Sequence, residues 1–582
     1  MAPAYPVLIE NDVENTLPDG TVLRSTVYRP AAGGERFPVL LTRTPYGRDL
    51  AVNSAYFNPA TVAARGFAVI LQDCRGRFGS DGVFVPSVHE EADGAATVAW
   101  AARLPYCTGQ VGMWGRSYFA ETQWRAARAR PAGLRAIAPG VSAGGNANNG
   151  AIWRGGAFEL GSRLNWGHAS ASLEEIRREH GGMEALAGEL AAWAELDASF
   201  ADGSVFDVLP YGELKSRAGT FMNTHILPSG GEDPGADTAR LWDSASSEPV
   251  DLPTLHIGGW FDIFAPNTLD QYRRQLEHSR TRPELAPRLI MGPWSHTNFS
   301  GTFPDVSFGM LASGGAVGGY GDLSAIQAAW FDAVLNGNGS ALDAMPPVLV
   351  FFMGENRWRG FDELPAPSSA LELFLGADGS LAAEPGPAGT AEYDYDPLDP
   401  VPTTGGATML YGAAFPGPAD QHAVEARNDV LVFTSQPLEE PLTVFGEVTA
   451  TLSAASSAVD TDFVVRLCRV APDGTSTAIT DGIVRASWRA AYAGDGRFKP
   501  GAGRQLLEPG QVHEFTVSLW STAYTFAAGD RIRVQVTSSC HPRWDRNLNT
   551  GALAFDSSDT VVAHQGIHCG AAAPSRLTLG TL

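Results

Sequence analysis

A serine in the segment GQVGMWGRSYFAETQW is the first candidate for chemistry. Ser117 follows an apolar run and a Gly-X turn, and a possible helix follows it. Such a strand-turn-helix arrangement exposes a nucleophilic hydroxyl at the edge of a parallel sheet. Gly115 lies two residues before the serine, but Phe119 stands where a second glycine is usual, so the G-x-S-x-G pattern is incomplete. An ordinary strand-to-helix turn is the alternative interpretation of this segment.

An acid and a base occur later in the chain, each directly after an apolar run. Asp262 follows LHIGGW and His296 follows RLIMGPWS. A histidine can accept the serine proton when a carboxylate orients its other nitrogen, and the order Ser, Asp, His suits an α/β-hydrolase. Taken singly, Asp262 could cap a helix and His296 could be one of twelve ordinary histidines. Together the three predict a serine hydrolase that cleaves an ester or acyl-amide bond.

The elements that must hold these residues alternate between strands and helices. Strands are predicted at 38–42, 67–72, 111–114 and 134–138, with a helix over 87–104. This alternation indicates a mostly parallel sheet covered by helices. Strand patterns resume at 254–257 and 288–291, before a helix at 323–335.

The chain is predicted to divide into an α/β-hydrolase domain, a helical cap inserted within it and a C-terminal β-domain. The first part of the hydrolase domain covers 1–144, the cap 145–245 and the second part 246–345. Short β-type runs punctuated by Pro and Gly dominate 346–582, which predicts a jelly-roll β-sandwich.

Several motifs resemble one family, and they run in order through almost the whole chain. They are RTPYGR (43–48), QDCRGRFGSDG (72–82), VGMWGRSYFAETQW (111–124), GGWFDIF (258–264), GPWSH (292–296), DTDFVVRLCRVAPDGTSTAITDGIVRASWR (460–489) and DRNLNTG (545–551). The sequence is similar to the cocaine-esterase type of α/β-hydrolase, which is related to Xaa-Pro dipeptidyl-peptidases, cephalosporin acylases and α-amino acid ester hydrolases. The resemblance implies the same three-part fold and the triad Ser117, Asp262 and His296. It further implies an oxyanion hole formed by the Tyr46 hydroxyl and the backbone N–H of Tyr118.

The resemblance also implies where the acyl group of a substrate would bind. Trp153, Trp166 and Phe261 match the walls of an acyl pocket, which would favour an apolar or aromatic group, although both tryptophans could instead pack the cap against the core. Ile263 and Phe264 stand where relatives acting on α-amino acid esters carry carboxylates, which argues against an α-amino substrate.

Two departures and two alternative functions accompany the resemblance. Arg116 and Ala120 replace a small aliphatic residue and a glycine that are usual beside the serine, so the sequence does not determine the shape of the pocket there. An Xaa-Pro dipeptidyl-peptidase-like activity stays an alternative, as does a non-catalytic protein that binds through its jelly roll.

The amino-acid composition limits the classes of binding partner that we expect. A net charge of -23 without a basic stripe argues against nucleic acid and anionic membranes. The N-terminus lacks a signal pattern and the five cysteines are scattered, so we expect a cytoplasmic protein without disulfides. No metal or cofactor is expected, a homodimer is left open, and a small ester or amide is the expected partner.

One further motif receives a structural interpretation. DCRGRFGSDG lacks a Walker lysine, and we expect a loop in which Asp73 pairs with Arg75.

Overall fold

The N-terminal part of the chain builds the first half of a large sheet. The computed structural model describes residues 5–49, 56–144, 152–179, 183–216, 222–228, 248–410, 412, 414–499 and 501–582. The first strands are Val7–Thr16 (β1), Val22–Pro30 (β2), Phe37–Thr44 (β3), Ala68–Asp73 (β4), Cys107–Arg116 (β5) and Leu134–Gly140 (β6). The helices between them are Pro59–Ala63 (α1), Glu90–Ala101 (α2) and Tyr118–Arg128 (α3). Strands β3 and β4 are buried throughout, and β5 and β6 are buried over most of their length, because the sheet is covered on both faces.

An insertion rich in helix follows β6. It contains a two-stranded hairpin, Trp153–Arg154 (β7) and Ala157–Phe158 (β8), and the helices Leu160–Gly167 (α4), Leu173–Glu179 (α5) and Met183–Asp202 (α6). A helical insertion is what the sequence pattern predicts, but the hairpin is an addition to it. The predicted limits at residues 145 and 245 lie outside the described residues.

The sheet is completed after the insertion. Its later strands are Leu255–Phe261 (β9), Arg288–Ser295 (β10), Val348–Phe352 (β11) and Arg357–Phe361 (β12), and the helices beside them are Ala265–His278 (α7) and Leu323–Asn336 (α8). The ten strands lie in the order β1-β2-β4-β3-β5-β6-β9-β10-β11-β12, and the pairings from β4 to β11 are parallel. Because β11 and β12 belong to this sheet, it extends past the boundary predicted at residue 345.

The C-terminal part is built from antiparallel strands in two main sheets. The strands are Ser369–Leu375 (β13), Leu381–Ala382 (β14), Gly389–Tyr395 (β15), Leu431–Thr434 (β16), Leu442–Ser456 (β17), Asp462–Val470 (β18), Ser476–Arg485 (β19), His513–Phe526 (β20), Arg531–Thr537 (β21), Ala563–Cys569 (β22) and Arg576–Thr581 (β23), with one short helix, His422–Glu425 (α9). A sheet of seven strands faces a sheet of four, β16-β21-β18-β19, across a large apolar core. The antiparallel register of each pairing agrees with the predicted all-β domain.

No helix among the described residues combines the length and the apolar character that a membrane span requires.

Candidate active site

A sharp turn between β5 and α3 presents Ser117. The serine has φ 59° and ψ -126°, a conformation that costs a non-glycine residue about 1–3 kcal/mol. Its N–H donates to the carbonyl oxygen of Gly140 at 2.9 Å, which ties the turn to β6. Ser117 stands at the N-cap of α3 without a capping bond from its side chain, so its hydroxyl is directed to other partners.

Gly115 makes this turn possible. With φ 132°, an added Cβ at this position would lie 2.5 Å from the Cβ of Phe119 and 2.9 Å from Oγ1 of Thr42. The phenylalanine that replaces the usual second glycine therefore packs against the first one. The turn therefore forms without the second glycine, because the position at which a Cβ cannot be accommodated is Gly115.

His296 bridges Ser117 and Asp262. Its Nε2 lies 2.9 Å from Oγ of Ser117, and its Nδ1 lies 2.7 Å from Oδ1 of Asp262. Asp262 directly follows β9 and His296 directly follows β10, and these neighbouring strands are parallel, so both side chains reach the same edge of the sheet. Asp262 is fully buried, and this network assigns the Nδ1 proton to the bond with the carboxylate.

Tyr46 and Tyr118 lie beside this group. Both residues line a cavity together with Ser117 and His296. The hydroxyl oxygen of Tyr46 accepts a hydrogen bond from Nε1 of Trp166 at 2.9 Å. The N–H of Tyr118 is the first amide of α3, and a first-turn amide has no carbonyl partner within its own helix.

The side chain of Tyr118 anchors the start of α3 to the sheet. Its hydroxyl donates to Oε1 of Glu90 at 3.1 Å and accepts from the N–H of Ser87 at 2.8 Å. Glu90 in turn pairs with the buried Arg43 at 2.6 Å. Burial raises the pKa of Tyr118 well above its usual value, so the hydroxyl keeps its proton and remains a donor.

Two cavities meet at Ser117. The smaller one, of about 220 Å³, is here called the inner chamber. Its lining is apolar at Val85, Pro86, Val88, Trp166, Ile263, Phe264 and Met409 and polar at Ser162, Arg163, Thr224 and His225. The larger one, of about 640 Å³, is called the outer chamber, and its walls include Arg77, Phe78, Arg116, Phe119, Leu173, Glu174, Arg177 and Thr297. Tyr46, Trp166, His296 and Met409 border both chambers, which places Ser117 and His296 at their junction.

Of the three predicted acyl-pocket residues, Trp166 lines the chambers and the other two do not. Trp153 packs at 5.1 Å against Phe158 in the core of the cap, and Phe261 packs against Phe303 at 5.6 Å. Phe261 lies outside the described lining of both chambers, so the structure does not bring it to the serine as the acyl-pocket wall that the resemblance implies.

Phe264 takes the place expected for Phe261. Its ring meets the His296 ring edge-on, with centroids 5.1 Å apart and planes at 88°. From the sequence, Phe264 was noted only because relatives acting on α-amino acid esters carry a carboxylate there. Met409 was missed as well, because it lies in an irregular segment of the C-terminal part and no local motif marks it.

The loop QDCRGRFGSDG is structural, but its predicted internal ion pair is wrong. Asp73 pairs with Arg48 and accepts its backbone N–H at 2.8 Å, while Arg75 binds Asp93 with two bonds of 2.9 and 2.7 Å. Asp73 ends β4, and the neighbouring parallel strand β3 leads to Arg48, so adjacent strand ends bring these two together. The buried pair therefore fixes the loop that carries Tyr46.

Comparisons with known proteins agree with this architecture. The model of the X-Pro dipeptidyl-peptidase (S15 family) matches residues 19–298, and that of the X-Pro dipeptidyl-peptidase C-terminal non-catalytic domain matches residues 340–578. Cocaine esterase from Rhodococcus sp. (strain MB1 Bresler) is 33% identical over 589 residues, which cover 98% of either chain. The chain belongs to the cocaine-esterase family. It is a serine hydrolase of ester bonds, as the sequence predicts.

Solved structures agree on the fold. An aminopeptidase from a marine-sediment archaeon, Thaumarchaeota archaeon, superposes with a TM-score of 0.76 at 25% identity, over 98% of this chain and 96% of that one. An α-amino acid ester hydrolase superposes with a TM-score of 0.76 at 23% identity, over 100% of this chain and 98% of that one. The predicted α/β-hydrolase fold with an all-β C-terminal domain is confirmed.

Proposed function

We propose that Ser117, His296 and Asp262 hydrolyse a small ester through an acyl-enzyme. Ser117 Oγ attacks the carbonyl carbon while His296 Nε2 takes its proton, and Asp262 holds the resulting imidazolium. His296 then returns the proton to the leaving alcohol oxygen, which departs and leaves the acyl group on Ser117. A water molecule then attacks the acyl carbonyl carbon while His296 Nε2 takes its proton. His296 returns that proton to Ser117 Oγ as the acid is released. The contact of His296 with both partners, at 2.9 and 2.7 Å, is the observation that supports this role.

The developing oxyanion is proposed to lie between the Tyr46 hydroxyl and the Tyr118 N–H. The bond from Trp166 Nε1 to the Tyr46 oxygen orients the phenol, and the anchored Tyr118 side chain fixes the start of α3. Donors fixed before the reaction stabilise developing charge without a reorganisation cost.

The inner chamber is proposed to bind the acyl group. Trp166, Ile263 and Phe264 give it apolar walls close to His296, and burial of an apolar or aromatic acyl group there would supply affinity and orientation. The same chemistry extends to acyl amides with a suitable leaving group, which keeps an acylase activity within the proposal.

A peptidase is the second candidate, since the family models and the archaeal aminopeptidase carry that description. Recognition of a free N-terminal amine needs a carboxylate near the nucleophile. Among the described residues that line the two chambers, Glu174 is the one carboxylate, and Arg177 and Arg178 already hold it. This arrangement favours an ester over a peptide.

We further propose that the enzyme works in the cytoplasm. All five cysteines are buried and free, which suits a reducing compartment.

The test compares neutral aryl esters with Ala-Pro-p-nitroanilide on the wild type and on Ser117→Ala. We expect aryl ester turnover that falls by at least about 10⁴-fold in Ser117→Ala, in line with the loss of a triad nucleophile. Ser300→Ala, which changes an exposed serine four residues after His296, is the matched control and should keep wild-type rates. Faster turnover of the anilide than of every ester would favour the peptidase, and full activity in Ser117→Ala would refute the mechanism.

A further inference from the structure

The inner chamber contains a polar group that the proposed mechanism does not use. Ser162 belongs to its lining, and the residue is only 4% exposed. Its Oγ is buried and makes no hydrogen bond to any part of the chain that the structure describes. Most buried polar side-chain atoms have a partner, because a buried hydroxyl without one costs stability. Such a hydroxyl beside a substrate chamber indicates a partner that arrives with the substrate.

Helix α4 holds Ser162 in place. The N–H of Gly161 donates to the carbonyl oxygen of Arg543 in the C-terminal part at 3.3 Å, and the Gly161 oxygen accepts from Nδ2 of Asn165 at 2.8 Å. An added Cβ on Gly161 would collide with the side chain of Leu410, so the helix packs closely against the C-terminal part here. The backbone that carries the Ser162 hydroxyl is therefore fixed before a substrate binds.

The periodicity of α4 places Ser162 away from the reacting groups. Ser162 and Trp166 are four residues apart, so they share one face of the helix and are separated by about 6 Å along its axis. Trp166 borders both chambers and bonds the Tyr46 hydroxyl, whereas Ser162 lines the inner chamber alone. An acyl group that extends from Ser117 past Trp166 would therefore meet Ser162 with its far end.

The neighbours of Ser162 give the same part of the chamber a polar character. Nη2 of Arg163 donates to the backbone oxygen of His225 at 3.0 Å, and its guanidinium lies 5.4 Å from the centre of the Trp166 ring. Thr224 and His225 belong to the same lining. The inner chamber thus combines apolar side chains with polar residues of α4 and of the segment 222–226, which suits an acyl group with an apolar body and a polar tip.

We propose that the acyl group of the natural substrate carries a hydroxyl at its far end and that Ser162 selects for that hydroxyl. The inference rests on the proposed function, in which the inner chamber takes the acyl group. A serine hydroxyl both donates and accepts, so it can pair with a substrate hydroxyl in either direction. Because Ser162 gives up no bond within the described protein, the new hydrogen bond adds to the binding of that acyl group.

Two pairs of isomeric esters test the proposal. Phenyl 4-hydroxybenzoate and phenyl 4-methylbenzoate differ at the far end of the acyl group, in substituents of similar size. 4-Hydroxyphenyl benzoate and 4-methylphenyl benzoate carry the same difference on the leaving group. The readout is the hydroxyl-to-methyl ratio of kcat/KM within each pair, measured at slightly acidic pH, where the phenols keep their protons. Comparing each ratio between the wild type and a variant cancels the intrinsic reactivity of the esters.

We expect the acyl-side ratio to fall on the order of tenfold in Ser162→Ala, as for the loss of one hydrogen bond, and the leaving-group ratio to stay constant. Ser300→Ala, which changes an exposed serine, is the control and should keep both ratios. The melting temperature of Ser162→Ala should not fall, because alanine favours a helix and no protein partner of the hydroxyl is lost.

An unchanged acyl-side ratio in Ser162→Ala would overturn the inference, since the hydroxyl would then serve only the packing of α4 or a bound water. An equal fall of both ratios would also overturn it, because a general distortion of the site does not distinguish the acyl side from the leaving group. A clear fall in melting temperature would contradict the premise that the hydroxyl has no partner in the fold. Absence of Ser117-dependent turnover of all four esters would instead refute the proposed function, and the inference with it.

Discussion

Tyr46→Phe separates an oxyanion donor from a packed aromatic ring. The substitution removes the hydroxyl and keeps the ring, whose centroid lies 5.4 Å from that of Phe119. If the hydroxyl donates to the developing oxyanion, the loss falls on the transition state. The turnover number should therefore drop while KM changes little.

The expected magnitude is large compared with the structural cost. Loss of one oxyanion donor lowers kcat by about 10²–10³, which corresponds to about 2.7–4 kcal/mol. The stability cost comes from the bond of 2.9 Å that Trp166 Nε1 donates to the Tyr46 oxygen. Because Tyr46 and Trp166 are only partly buried, losing that bond should lower the free energy of unfolding by about 1 kcal/mol.

Steady-state kinetics on a neutral aryl ester, with thermal melting of the same samples, measures both effects. Trp166→Phe is the matched control, because it removes the donor to Tyr46 but leaves the phenol in place. Its kcat should fall by less than about tenfold, well short of the loss in Tyr46→Phe. A kcat within about threefold of wild type in Tyr46→Phe, with Ser117 still essential, would refute the oxyanion role of Tyr46.

Two further predictions follow from burial. Phe264→Ala should raise KM for aromatic acyl esters, because it removes a wall of the inner chamber. Phe261→Ala should instead lower the free energy of unfolding by about 3–5 kcal/mol and leave acyl selectivity in place. The reverse pattern, measured with an ester panel and denaturant melts, would contradict the assignment of Phe264 to the acyl-binding wall. Burial lowers the pKa of His256 to about 3. The pKa of a histidine in the unfolded chain is about 6.5. The stability that depends on a neutral His256 ring is therefore complete above that pH and is lost as the pH falls towards 3, at up to about 1.4 kcal/mol per pH unit. In denaturant melts between pH 7 and 4, the free energy of unfolding should fall less steeply with pH in His256→Gln than in the wild type. An unchanged slope would contradict the role of His256 in this pH dependence.

The sequence was most informative where chemistry depends on strand ends. Ser117, Asp262 and His296 each follow an apolar run, and parallel strands carry such residues to one edge of the sheet. Most predicted strands began within one residue of the observed ones and ended too early. The exception is β5, which runs over Cys107–Arg116 whereas 111–114 was predicted, because its first residues include the polar, partly exposed Thr108 and Gln110, which break the apolar pattern.

Other parts of the site depended on information that a linear pattern does not contain. Phe261 and Phe264 are three residues apart, and only the turn after β9 decides which ring meets His296. Asp73 pairs with Arg48 instead of Arg75 because β3 and β4 are neighbours in space. Trp153 is absorbed by the cap core, which forms from segments far apart in the chain.

Covalent labelling tests the central claim most directly. The purified enzyme is treated with a serine-directed phosphonyl fluoride, and the site of modification is located by peptide mass spectrometry. An activated nucleophile should react where ordinary serines do not. We expect complete inactivation at one label per chain, all of it on Ser117, and no labelling in His296→Ala. Inactivation with the label on another residue, or full activity after Ser117 is modified, would contradict the proposed mechanism.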